Sequence, residues 1–120
     1  MNLVFIQRKF KSKARECIKL AEDRFDRHFH VPEIIFFDYE YAAGCADQFG
    51  WKVGLSVPII LEYPERMLEN TLPHELAHLI DFKVNLKTYA EMKRIPQHGY
   101  AWKYIMKNVF GAEPLTKFYG

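Results

Sequence analysis

Apolar positions along the chain switch between two periods, and the switches mark its elements. Phe10, Ala14, Cys17, Ala21, Phe25 and His28 recur at steps of three and four, with Lys and Arg between them. This predicts an amphipathic helix over about residues 7–29, closed by Pro32. Ile34-Ile35-Phe36-Phe37 is a β-branched and aromatic run between Pro32 and Asp38 and reads as a buried strand. Residues 42–49 hold Gly44 and Asp47, which suits a short strand and a turn, and Gly50 punctuates. Trp51, Val53 and Leu55 then alternate with Lys52, Gly54 and Ser56, which is strand periodicity. These runs predict a small antiparallel sheet of three strands, or four if residues 58–61 also pair.

The helical period returns after Glu65. Met67, Leu68, Leu72, Leu76, Leu79 and Ile80 form a stripe that Pro73 interrupts. Either one helix bends there, or a new helix starts with Asn70 or Thr71 as its cap and Pro73 in its first turn. Residues 83–97 read as a connection ending at Pro96. A last helix over about residues 99–110 carries Ala101, Trp102, Ile105, Met106, Val109 and Phe110 on one side, with Gly111 and Pro114 as stop signals. The expected fold class is therefore α+β.

Composition narrows this picture. A chain of 120 residues with 49% hydrophobic and 16% aromatic residues has enough apolar material for one core, so residues 1–120 read as a single domain. Two cysteines, Cys17 and Cys45, exclude a four-cysteine zinc ribbon and a multi-disulfide scaffold, and read as buried thiols in a reducing compartment. The N-terminal charges follow a four-residue apolar run instead of preceding a longer one, so no secretory signal is read. No stretch approaches the roughly 20 apolar residues of a membrane span. A cytoplasmic location without membrane contact is expected.

The net charge of +2 hides a segregation. Residues 1–30 carry +4, residues 31–82 carry −7 and residues 83–120 carry +5. Solvated helix surface accounts for such runs. Basic flanks also suit contact with nucleic acid or an acidic protein.

The chemistry concentrates in His74-Glu75-Leu76-Ala77-His78, an H-E-x-x-H pattern on a helical stripe. Two histidines four apart lie about 40° apart around a helix and one turn apart along it, so both imidazoles reach one ion. Glu75, next to the first ligand, is placed to act on a metal-bound water. A catalytic site of this kind takes a third protein ligand and keeps an open position. The candidates are His98, His28, His30, Glu91 and Asp81. A glycine three residues and a histidine six residues past His78 would mark the metzincins; Asp81 and Val84 stand there instead. Glu91 weakly mimics the downstream glutamate of thermolysin-like enzymes. His98 is stronger, because it lies between Pro96 and Gly99 at the start of the final helix, where a second element can close on the first. Trp102, one turn on, reads as core or pocket wall. Tyr89 and Tyr100 read as packing residues that could also donate to an oxyanion.

These residues resemble the SprT-like (Spartan) zinc metallopeptidases. The match rests on Pro73-His74-Glu75-Leu76-Ala77-His78 followed by His98-Gly99-Tyr100-Ala101-Trp102-Lys103, against a family pattern of H-E-x-x-H and H-G-x-x-W-K. Ala43-Gly44-Cys45-Ala46 and Val53-Gly54-Leu55-Ser56 look like the family's sheet segments, and the likeness covers roughly residues 8–110. The resemblance implies a zincin-like fold in which His74, His78 and His98 ligate Zn2+ and Glu75 is catalytic. It implies a protein or peptide substrate, with a role on DNA-bound or DNA-crosslinked proteins. The sequence departs from the many members that carry a C-terminal zinc ribbon, and against them it reads as a minimal catalytic domain. The competing expectation is a DNA-associated binding module in which zinc is structural or absent. Oligomeric state is not legible.

Overall fold

The computed structural model describes residues 2–85, 91 and 96–116. The chain forms α1 (Leu3–Phe25), β1 (Glu33–Phe37), β2 (Gly44–Asp47), β3 (Lys52–Ser56) and α2 (Val57–Glu62). Next, α3 (Pro64–Arg66) runs through a π-helical turn (Met67–Thr71) into α4 (Leu72–Val84). After the connection, α5 (Tyr100–Tyr104) continues into a second π-helical turn (Ile105–Val109). The fold is α+β, with helices packed on a three-stranded sheet.

Helix α1 begins earlier than the apolar stripe suggests, because Asn2 caps it. The Asn2 side-chain oxygen accepts from the backbone N–H groups of Val4 and Phe5 at 2.7 and 3.4 Å, satisfying donors that the first turn leaves open. The buried stripe is Ile6, Phe10, Ala14, Cys17, Ile18 and Ala21. The helix stops at Phe25, not at Pro32. Asp26 takes the left-handed conformation (φ 51°, ψ 49°) and its N–H returns to the Glu22 carbonyl, a turn that aspartate tolerates better than most residues. His28 therefore lies beyond the helix and is exposed.

The sheet corrects the antiparallel expectation. Its order is β1-β3-β2: β3 lies between the other two, parallel to β1 and antiparallel to β2. Alternation within a strand reports which face is buried and carries no information about the direction of its neighbour. The β1–β2 connection steps over the width of one strand, and Ser56 pins it. The Ser56 N–H donates to the Ala43 carbonyl at 2.9 Å and its hydroxyl to the Tyr39 carbonyl at 2.6 Å.

A fourth strand over residues 58–61 is not formed, because this segment belongs to α2. Ser56 caps α2, accepting from the Ile59 N–H at 3.3 Å, and Pro58 occupies its first turn. These start signals override the β-branched run. The alternatives at Pro73 resolve as a continuous helix. The ring of Pro73 would strike the carbonyl one α-turn back and offers no N–H to it. The π-turn just before it widens the backbone, so that the Leu72 N–H bonds to Met67, five residues back.

The core joins α1, the inner face of the sheet and α4. Val53, Leu55, Leu72, Leu76, Leu79 and Ile80 are fully buried within it, as is Trp102 from α5. Most of the 83–97 connection, Tyr89 included, lies outside the described residues. No described helix is long and apolar enough to cross a membrane.

The two cysteines separate in environment. Cys17 is buried in the core, whereas Cys45 is exposed on β2, against the expectation of two buried thiols. Desolvation pushes the Cys17 thiol up to about 12, which withholds the reactive thiolate. Alkylation of the native protein with iodoacetamide is expected to modify one thiol per chain, at Cys45. Mass spectrometry showing equal labelling of Cys17 would contradict this packing.

Candidate metal centre

Helix α4 carries His74 and His78 one turn apart, held rigidly because Leu76, Ala77, Leu79 and Ile80 bury the rest of that turn. His98 arrives from the residues just before α5 and faces both. Its Nε2 lies 3.1 Å from His74 Nε2 and 3.2 Å from His78 Nε2. Three nitrogens on a tetrahedral divalent ion, each at roughly 2.0–2.1 Å, would lie about 3.3 Å apart. The observed separations match that arrangement closely.

Proton accounting points the same way. His74 Nδ1 lies 3.1 Å from the Leu115 carbonyl oxygen. A carbonyl only accepts, so Nδ1 carries the proton and His74 Nε2 presents a lone pair to the cluster. A single proton on His98 Nε2 could satisfy one of its two neighbours, not both. A shared cation satisfies all three nitrogens. Histidine ligands commonly have such a partner on the second ring nitrogen, which fixes the tautomer. Among the described residues, His74, His78 and His98 are thus positioned to bind a metal ion.

Trp102 holds this geometry. It is fully buried, and its indole N–H donates to the His74 carbonyl at 3.1 Å. Its ring stacks on His78 at 5.6 Å between centroids, and meets His74 and His98 edge-on at 4.7 and 4.6 Å. The indole is both core and the floor under all three imidazoles.

Glu75 lines a cavity of about 170 Å³ together with His74, Ala43, Gly44, Asn70, Thr71, Leu115 and Thr116. Gly44 permits this approach: a Cβ there would lie 3.1 Å from Thr71 Cγ2 and 3.2 Å from Glu75 Cγ. Burial pushes the Glu75 carboxyl up to about 7. Burial, together with the neighbouring His98, brings His74 down to about 4. His98 is also lowered, by burial first and then by Lys103.

The other third-ligand candidates lie elsewhere. His28 is exposed and meets Glu22 at 2.7 Å, with His30 edge-on to it at 4.9 Å. Asp81 is buried near the end of α4 and accepts from the Asn85 amide at 2.6 Å. Glu91 is not part of the cluster. Tyr100 is 87% exposed. The sequence reading missed Leu115, whose contribution is a main-chain carbonyl with no side-chain signature. It also missed Asn70, four residues before His74 on the same helical face.

Residues 14–117 match the SprT-like family. The chain belongs to that family. It is 37% identical over 108 residues to Protein SprT of Vibrio parahaemolyticus, covering 90% of this chain and 61% of the relative. It is 30% identical over 95 residues to Protein SprT of Serratia proteamaculans, covering 79% and 52%. Protein SprT of Escherichia coli K12 is 30% identical over 108 residues, covering 90% and 61%. The chain spans about three-fifths of the length of most of these relatives. No solved structure matches it significantly.

Two predictions follow from the geometry. His98→Ala should weaken metal binding by more than about 100-fold, beyond the loss usual for an outer partner of a ligand. Elemental analysis finding unchanged metal stoichiometry after dialysis would refute His98 as the third ligand. The second prediction concerns the metal-free protein, where Glu75 and His74 have opposite signs. The raised Glu75 contributes stability below pH 4.5 that is lost as pH rises through 7. The lowered His74 contributes stability above pH 6.5 that is lost as pH falls through 4. The two slopes oppose each other between pH 4.5 and 6.5. Glu75→Gln removes the first, so its metal-free stability should rise with pH across that window more steeply than that of the wild type. Urea titrations at several pH values measure both slopes, and identical profiles would contradict the assignment.

Proposed function

We propose that this chain is a zinc-dependent endopeptidase domain with a zincin-like architecture. His74, His78 and His98 are the metal ligands and Glu75 is the general base. The observation that carries this reading is the buried carboxyl of Glu75 beside three converging imidazoles. Three neutral nitrogens are a donor set suited to zinc. A site that only held structure would be closed by four protein ligands and would have no use for a buried acid beside them. When bound, zinc supplies Lewis acidity, bringing water toward a pKa near 7 and polarising the substrate carbonyl.

Without a metal, burial holds the Glu75 carboxyl up to about 7; the positive charge of a bound cation would lower it toward the carboxylate that a general base must be. Glu75 takes the proton from the attacking water and returns it to the leaving amine. Burial and the neighbouring His98 keep His74 neutral, and the Leu115 carbonyl holds its proton on Nδ1, leaving Nε2 bare. Trp102 keeps the imidazoles from swinging and excludes water from beneath them.

The substrate is a protein or peptide bound in an extended form. Strand β2 is an edge of the sheet, and its first residue, Gly44, lines the cavity beside Glu75. A strand added along that edge would carry its backbone past the site. DNA-bound or DNA-crosslinked proteins fit the segregated charge, since Arg8, Lys9, Lys11, Arg15 and Lys19 are exposed on α1. The same charge is the observation favouring the second reading, a DNA-associated binding module without protease activity.

Glu75→Gln is expected to keep the metal and lose about 10²- to 10⁴-fold in hydrolysis. The assay is casein or histone cleavage with zinc and a chelator control, run with and without single-stranded DNA. Chelator-sensitive cleavage by the wild type and its loss in the variant support the peptidase. Absence of chelator-sensitive cleavage under every condition favours the binding module, and full activity of the variant removes Glu75 from its role.

A further inference from the structure

After its second π-turn the chain doubles back across the metal helix, and residues 111–116 form a strap over one face of it. The Ala112 N–H bonds to the Met106 carbonyl at 2.8 Å, which starts the return. The Glu113 carbonyl then accepts from two donors, the Asn70 side-chain amide at 2.8 Å and the Leu115 N–H at 2.8 Å. The second of these closes a three-residue turn with Pro114 at its centre, where a fixed φ costs least. Two residues on, the Leu115 carbonyl accepts from His74 Nδ1 at 3.1 Å. Asn70 and His74 stand four residues apart and share one helical face. The strap therefore rests on two points of the same helix: Asn70 grips Glu113, and Leu115 grips His74.

We propose that Asn70 is a positioning residue for the metal centre, acting through the strap to hold the Leu115 carbonyl on His74 Nδ1. Among the bonds described, Asn70 reaches none of the nitrogens of the three clustered imidazoles and donates only to the Glu113 main chain. Its amide sets where the three-residue turn sits, and the turn aims the carbonyl that fixes the His74 tautomer. A His74 without that carbonyl can carry its proton on Nε2, the nitrogen the cluster needs bare. The inference rests on the reading of His74, His78 and His98 as metal ligands.

The test compares wild type with Asn70→Ala, Asn70→Asp and Pro114→Gly. Zn2+ affinity is measured by competition with a chromophoric chelator. The His74 Nδ1–H is followed by 1H–15N NMR of the metal-loaded protein. Asn70→Ala removes the grip and should weaken Zn2+ binding about tenfold. Asn70→Asp keeps the volume but points an acceptor at the Glu113 carbonyl, so it should bind more weakly than Asn70→Ala. A role in packing alone would give the reverse order. Pro114→Gly loosens the strap without altering the metal helix and should weaken binding as well. In all three variants the His74 Nδ1–H signal should broaden through faster exchange with water. Wild-type affinity in the three variants overturns the proposal, as does Asn70→Asp binding at least as tightly as Asn70→Ala, or an undisturbed Nδ1–H signal. A wild type that takes up no Zn2+ overturns the metal reading along with it.

Discussion

The site depends on one buried indole. Histidines 74 and 78 share a helix, but His98 belongs to a different segment, and three nitrogens can converge only if the two segments keep a fixed spacing. Trp102 sets that spacing. Its N–H donates to the main chain of the metal helix at His74, and its ring faces all three imidazoles at centroid distances of 4.6 to 5.6 Å. Full burial makes both contacts costly to break, because a displaced indole would leave its N–H unpaired and a large void behind it. The tie between α1 and α5, through Arg24 Nε donating to the Tyr104 hydroxyl at 2.6 Å, supports the same helix from its other side.

What could be read from the sequence was whatever side chains encode locally. The helical stripe of α1, the alternation of β3 and the spacing of His74 and His78 each follow from a repeat in the chain. His98 was legible through its neighbours Pro96 and Gly99, which mark a helix start. What escaped was encoded in pairing and in main-chain groups. The parallel β1–β3 pairing depends on which strand inserts between which, and nothing in Ile34-Ile35-Phe36-Phe37 states that. The helix α2 was missed because a β-branched run was weighed above its capping serine and proline. The Leu115 carbonyl has no residue-type signature, since any residue could supply it. The π-turn before Pro73 is a compromise between a continuous helix and a residue that cannot join one, and the sequence presents only the conflict.

The small residues of the sheet carry a constraint of the same kind. Gly44 faces Thr71 and Glu75 at distances where a Cβ would crowd both. Gly54 faces Phe37 and Cys45, where a Cβ would lie 2.7 Å from the Cys45 sulfur. One glycine lets the sheet edge approach the metal helix, and the other makes room on the opposite face of the sheet for Phe37 and the exposed Cys45. Close approach is what makes the cavity beside Glu75 narrow enough to desolvate its carboxyl.

That desolvation has a consequence for the metal-free protein. Burial acts on Glu75 and His74 in opposite directions, because it disfavours the charged form of each: the acid keeps its proton up to about 7 and the base refuses one down to about 4. Between those limits the pair carries no net charge, although both groups are ionisable and close in sequence. A neutral cavity costs far less to bury than an ionised one. The fold can therefore assemble the three imidazoles and the acid before any cation is present, and the first charge to enter the site is the one it is shaped to hold.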